Sequence, residues 1–150
     1  MKLATALSER AELQRKLSEL GTRLNNNAKV QDGEAPSEDP SALLSELDSA
    51  LVRLEELMAR INLTNSRTML DGVTVTELIA KRDCLRRRLA MMRTFLDNAS
   101  SRVDRYSKTE IRIVSTVDVA KLQKKADDVS KELRETDEKI QELNWTTELL

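Results

Sequence analysis

Apolar residues recur at alternating steps of three and four along four stretches of the chain, the spacing that lines up one face of an α-helix. In the first stretch they are Leu3, Ala6, Leu13, Leu17, Leu20 and Leu24, with Arg10 in series. The second runs Leu47, Leu51, Leu54, Met58, Ile61 and Asn65. The third has Leu78, Arg82, Leu85, Leu89, Met92, Leu96 and Ala99, and the fourth Val119, Leu122, Ala126, Val129, Leu133, Thr136, Ile140 and Leu143. All but Arg10, Asn65, Arg82 and Thr136 are apolar, in a chain that is 39% hydrophobic overall. The pattern predicts four long helices. Leu7, Leu44, Leu57, Ile79, Met91 and Phe95 widen the stripes beyond a two-stranded seam. A wide stripe touches two neighbours, so the expected fold is mainly α: an antiparallel four-helix bundle, one helical domain over 1–150.

Turn and cap residues mark the boundaries. Asn25-Asn26-Asn27, Asp32-Gly33, Pro36 and Pro40 make 25–40 a loop, with Asp39 as N-cap and Pro40 at the first helical position. Asp71-Gly72 marks a turn within a loop at 66–74. Thr74 and Glu77 then form a capping box for the third helix, with Val73 and Leu78 as a hydrophobic staple. Asp118 caps the fourth. Residues 100–117 read differently, because Ile111, Ile113 and Val117 alternate with Glu110, Arg112 and Thr116, a strand-like pattern over about 102–117. A lone two-stranded ribbon is marginal in water. This segment is therefore expected to pair with another strand, for which 28–31 is a candidate, or to reach a second subunit.

The polar interruptions of the seams are the candidate functional positions. An up-down arrangement with short turns places Arg10 near Glu56, and Arg82 near Glu135 and Thr136. A buried guanidinium needs a carboxylate beside it. The expected result is a polar layer of Arg10, Arg82, Glu55, Glu56, Glu135 and Thr136, with Glu9 in reach; the alternative is that both arginines extend to solvent along the stripe edge. Such layers set register and oligomer state. Asn62 and Asn65 form a polar bundle end, read either as amide capping or as a small-ligand pocket. Trp145 is read as an anchor for the last turn or as an interface residue, with Ile111 and Ile113 as further interface candidates. Cys84, beside Leu85, is expected to be a small buried apolar residue.

Composition narrows the chemistry. The chain has 25 basic and 26 acidic residues, a net charge of −1, no histidine and one cysteine. Charge balance gives no strong nucleic-acid signal. The run Lys81-Arg82-Asp83-Cys84-Leu85-Arg86-Arg87-Arg88 does not change this: successive arginines point about 100° apart on a helix, and no aromatic residues interleave for base stacking. The missing histidine removes the usual catalytic triads and zinc sites. Only Gly21, Gly33 and Gly72 are present, and no phosphate-binding loop. No catalytic residue, metal site or cofactor is expected. Nor is a transmembrane segment, since no apolar run approaches about 20 residues. A polar N-terminal stretch and a lone thiol make the cytoplasm the expected location.

Several short segments occur in a recognisable order: Asn26-Asn27-Ala28-Lys29-Val30-Gln31, Glu38-Asp39-Pro40, Ile61-Asn62 with Thr64-Asn65, Arg82-Asp83, Tyr106-Ser107 with Glu110-Ile111, Val117-Asp118-Val119, and Asn144-Trp145 with Glu148-Leu149. The set resembles a family of small uncharacterised bacterial proteins, some labelled septicolysin. The resemblance spans nearly the whole chain and implies a helical fold; the label implies a membrane-acting cytolysin. From the residues themselves the expected function is that of a non-enzymatic structural or interaction protein, a homo-oligomer that self-associates through helical seams in coiled-coil fashion. A cytolysin-like protein and a small-ligand or nucleic-acid binding module are the alternatives. No heterologous partner is identified.

Overall fold

The computed structural model describes residues 1–100 and 112–150. Among these the fold is mainly α, 76% helix, consistent with the helical bundle read from the periodicity. The helices are α1 (Leu3–Asn26), α2 (Pro40–Arg67), α3 (Val75–Ser100) and α4 (Val119–Thr146). A two-stranded antiparallel ribbon, β1 (Met69–Leu70) and β2 (Val73–Thr74), joins α2 to α3. Its turn is Asp71-Gly72, both with positive φ (51° and 81°). That is the two-residue hairpin geometry for which Asp-Gly is suited, because glycine adopts positive φ without strain. The segment read as a turn is thus a short β-hairpin.

Two of the caps lie where the sequence puts them. Asp39 accepts a hydrogen bond from the Ser41 N–H, with Pro40 opening α2. Asp118 accepts one from the Lys121 N–H at the start of α4. The strand pairing expected between 28–31 and 102–117 is not seen in what is described: 28–31 form no strand and 112–117 are irregular. The rest of that segment, Ile111 included, lies outside the described residues.

Contacts divide the chain into two compact units, Met1–Val75 with Leu143–Leu150, and Thr76–Glu142. In the first, α1 and α2 form an antiparallel hairpin. The face of α2 turned to α1 is a seven-residue row, Leu43, Ala50, Leu57 and Thr64, with Ile61 beside it, all buried. Of the seam expected on α2 (Leu47, Leu51, Leu54, Met58, Ile61 and Asn65), Ile61 is buried, Leu47, Leu54 and Asn65 are half-buried, and Leu51 and Met58 are exposed. The apolar stripe on α2 is wider than one contact, and its buried row includes the small residues Ala50 and Thr64. Leu3, Ala6, Leu57, Ile61 and Leu149 form the core, with Leu7 and Leu13 packed against it.

The segment after α4 closes this unit. Lys2, at the N-cap of α1, makes no side-chain cap hydrogen bond. Instead the Leu3 N–H donates to the Thr147 carbonyl (2.9 Å) and the Leu149 N–H to the Met1 carbonyl (2.8 Å), forming a bridge between Lys2 and Glu148. Thr64 Oγ1 accepts from the Leu150 N–H and donates to the Arg60 carbonyl. One backbone segment thereby satisfies an N–H that every helix start leaves unpaired. At the other end, buried Asn27 donates to the Arg23 carbonyl and accepts from the Glu38 N–H, pinning the loop.

In the second unit, α3 and α4 pack antiparallel through Leu85, Leu89, Leu96, Ala126 and Val129, flanked by Met92, Val119, Leu122 and Leu133. These are the seam positions read from the sequence.

Candidate interaction surface

Two further seven-residue rows run along α2, one on each side of its buried row. The first is Glu46, Arg53 and Arg60; it meets a matching row on α1, Glu9, Lys16 and Arg23. Arg53 donates from Nε to Glu9 Oε1 (2.7 Å) and from Nη2 to Glu9 Oε2 (3.0 Å), and from Nη1 to Glu56 (2.7 Å). Arg60 also reaches Glu56, Lys16 pairs with Glu46 (2.8 Å), and Arg23 grips Glu38 through both Nε and Nη2. Hydrogen bonds from Arg53 hold the Glu9 and Glu56 carboxyls below their usual range; those from Lys16 and Arg23 do the same for Glu46 and Glu38. Exposed pairs of this kind contribute little energy singly, but their seven-residue repeat fixes the register of the hairpin.

The second row is apolar and open. Leu44, Leu51 and Met58 are 50%, 45% and 45% exposed. They stand about 160° around the helix from the ion-paired row. Asp48 and Glu55 line its outer edge, and neither makes a hydrogen bond or ion pair among the described residues. The α1–α2 hairpin therefore has an ion-paired side and, on the other side of the buried row, an apolar row that is about half exposed.

The second unit carries an open face on α3. Met91 is 74% and Phe95 47% exposed, and Cys84 is exposed too. This corrects the expectation of a buried thiol: Cys84 is about 100° around the helix from the buried Leu85. Ala90, Met91, Thr94, Phe95 and Asn98 line a shallow depression of about 540 Å³. Ion pairs flank the α3–α4 seam, Lys81 with Glu132 (2.8 Å) and Arg82 and Arg86 with Asp137 (3.6 Å each). The Lys81 contact holds Glu132 below the usual carboxylate range.

The residues singled out from sequence are distributed as follows. Arg10 has a buried Nε without a hydrogen-bond partner. Glu56 is engaged by Arg53 and Arg60, while Glu55 is exposed and has no ion pair among the described residues. Arg82 pairs with Asp83 and Asp137; Glu135 is exposed, with Lys131 at 3.9 Å. Thr136 is buried, its hydroxyl donating to the Glu132 carbonyl. Asn62 is exposed, and Asn65 is half-buried with an unpaired Oδ1. Trp145 is 67% exposed on the last turn of α4, a position open to solvent rather than packed as an anchor. Ile113 is exposed in an irregular stretch. Arg53 and Thr64, which organise the first unit, were not singled out; the heptad rows through Glu9 and Arg53 were the readable signal.

Among the described residues no cluster of His, Cys, Asp or Glu could hold a metal ion, and no helix is long and apolar enough to cross a membrane. A family of unknown function, DUF6847, matches residues 10–149. The chain belongs to that family. No curated protein matches it. Among solved structures, one described as a functionally unknown conserved protein from Corynebacterium diphtheriae is similar: 44% identical, covering 100% of this chain and 99% of that one, with a TM-score of 0.93. The DUF6847 fold is thus shared with an experimentally determined structure, and neither relative is described with an enzymatic activity.

Proposed function

We propose that this DUF6847 chain is a non-enzymatic structural or interaction protein of the cytoplasm that self-associates through its helical faces. The observation that supports this most is the open row Leu44, Leu51 and Met58 on α2. Isolated exposed leucines are ordinary, but a row that repeats every seven residues over about 21 Å of helix is a helix-packing surface. Its position opposite a completed set of ion pairs gives the hairpin one finished side and one side ready for a further helix. Light scattering across a hundredfold range of concentration tests the reading. A discrete oligomer that the Leu51→Glu substitution converts to monomer is the expected result. A wild-type chain that stays monomeric throughout overturns it.

A further inference from the structure

We infer that Thr147–Leu150 is a displaceable self-ligand. It fills a strand-docking cradle that accepts, in its place, an extended segment of another protein carrying an acidic residue directly before a leucine. The cradle lies wholly within the unit formed by Met1–Val75 and Leu143–Leu150. Its walls are the start of α1 and one face of the C-terminal half of α2. Because Lys2 gives α1 no side-chain cap, the Leu3 N–H is left for an outside acceptor. The Thr147 carbonyl takes it at 2.9 Å, and the Leu149 N–H donates to the Met1 carbonyl at 2.8 Å, in the antiparallel pairing of two strands. Any extended chain offers the same donor and acceptor, which is how a peptide adds to an open backbone edge.

Side chains supply the selectivity. Alternate residues of an extended segment face opposite ways, and here Glu148 and Leu150 are exposed while Leu149 between them is buried. Leu149 packs with Leu3, Ala6, Leu57 and Ile61. Lys2 Nζ meets Glu148 at 2.8 Å and donates to the Thr146 carbonyl at 3.0 Å. Beyond Leu149, the Leu150 N–H donates to Thr64 Oγ1 (3.0 Å), and Arg60 Nε donates to the Leu150 main-chain oxygen (2.7 Å). The cradle thus reads one acid, one leucine-sized side chain and a short run of extended backbone.

The segment is held as a ligand is held. Leu149 is its one buried side chain. Glu148 keeps 62% of its side chain exposed, so its ion pair contributes little, and ordering the backbone opposes these gains. Segments anchored so lightly open locally at low free energy. Opening alone bares Leu3, Leu57 and Ile61, now 0–1% exposed, to water, so the open cradle favours a replacement of the same pattern.

A fluorescent peptide with the sequence of residues 146–150, read by anisotropy against the 150-residue chain, tests this. The wild type should bind it weakly, because its own segment competes at an effective concentration in the millimolar range. Leu149→Asp disables the self-ligand and should tighten peptide binding at least about tenfold. Glu148→Lys, at an exposed position, should act in the same direction by a smaller factor without touching the core. Adding Lys2→Glu to the Leu149→Asp chain should reverse the charge preference, so that a peptide with lysine in place of its glutamate binds better than the original. In the unaltered chain, millimolar peptide should speed amide exchange at Leu149 and Leu150 while Leu3 stays protected. If neither variant binds the peptide more tightly than the wild type, and the Glu148→Lys chain melts as the wild type does, the proposal is overturned and 147–150 is a fixed part of the fold. Binding whose charge preference Lys2→Glu leaves unchanged overturns the cradle as the site. Both readouts are independent of whether the chain self-associates.

Discussion

The two helical hairpins of this protein solve the same packing problem with different means. The α1–α2 hairpin has a core of fully buried side chains (Leu3, Ala6 and Leu57 at 0%, Ile61 at 1%), an ion-paired flank that repeats every seven residues, and a backbone clasp from Thr147–Leu150. The α3–α4 hairpin packs Leu85, Leu89 and Leu96 on Ala126 and Val129, these five at 3–8% exposure, with Ile140 of α4 fully buried and Arg82 and Asp137 at its edge. Small residues occur in both seams, Ala50 on α2 and Ala126 on α4. Two stripes of similar apolar content therefore end in cores of different completeness. Among the described residues, the first core also takes in Leu149, from the segment after α4.

The strongest test of that contrast is a pair of truncations. Leu57→Ala, in the sealed core, should lower stability by about 2–5 kcal/mol in urea unfolding, the range for a buried leucine whose site cannot collapse. Leu89→Ala should lie near the bottom of that range, because a less sealed seam relaxes around the loss. Hydrogen exchange resolved along the chain should show each effect concentrated in its own hairpin. Equal losses, or a larger one at Leu89, would remove the distinction.

The clasp can be broken alone. Thr64→Val keeps the shape but removes the acceptor of the Leu150 N–H. Removing the partner of that part-buried N–H should cost about 1 kcal/mol, with faster exchange of the 147–150 amides. The caps sharpen the comparison from the other side. Asp39→Ala and Asp118→Ala remove equivalent N-cap bonds from the two hairpins, and each should cost about 1 kcal/mol regardless of core completeness.

Acid should distinguish the hairpins by the smallest margin. Glu9, Glu38, Glu46, Glu56 and Glu148 in the first unit are held below the usual value of 4.5, chiefly by hydrogen bonds from Arg53, Arg23, Lys16, Arg53 and Lys2 respectively; only Glu132 is so placed among the described residues of the second. A carboxyl whose folded pKa is depressed stabilises the fold above its unfolded pKa, and that contribution is lost as pH falls through the folded value. Exchange protection of the α1–α2 hairpin should therefore decline more than that of α3–α4 as pH drops below about 4.5, and added salt should reduce the difference.

Much of the fold was legible because helix periodicity and caps are local. The seams of α1, α3 and α4, the Asp39 and Asp118 caps and the Asp71-Gly72 turn all follow from neighbours a few residues apart. The α2 seam is only partly legible: Ile61 is buried and Leu47 and Leu54 are half-buried, whereas Leu51 and Met58 are exposed. An unbroken apolar arc offers two equivalent faces, and only the partner helix selects the one containing Ala50 and Thr64. Cys84 was misplaced for a similar reason: one residue from the seam is a quarter-turn and more, enough to reach solvent. The ion-pair rows on α1 and α2 were present as heptad repeats, but the pairing of Arg82 with Asp83 and Asp137 depends on tilt and side-chain reach that numbering alone does not carry.

The sequence by itself determined that four helices form, where the described ones begin, and which broad stripe each turns inward, since backbone hydrogen bonding and apolar spacing act within a turn or two. Tertiary structure decided which half of the α2 stripe is buried, that Thr147–Leu150 supplies the cap missing from α1, and that Leu44, Leu51, Met58, Met91 and Phe95 stay open. Those outcomes depend on how closely two helices approach and on segments more than a hundred residues apart meeting, and close packing fixes both only once the chain has folded.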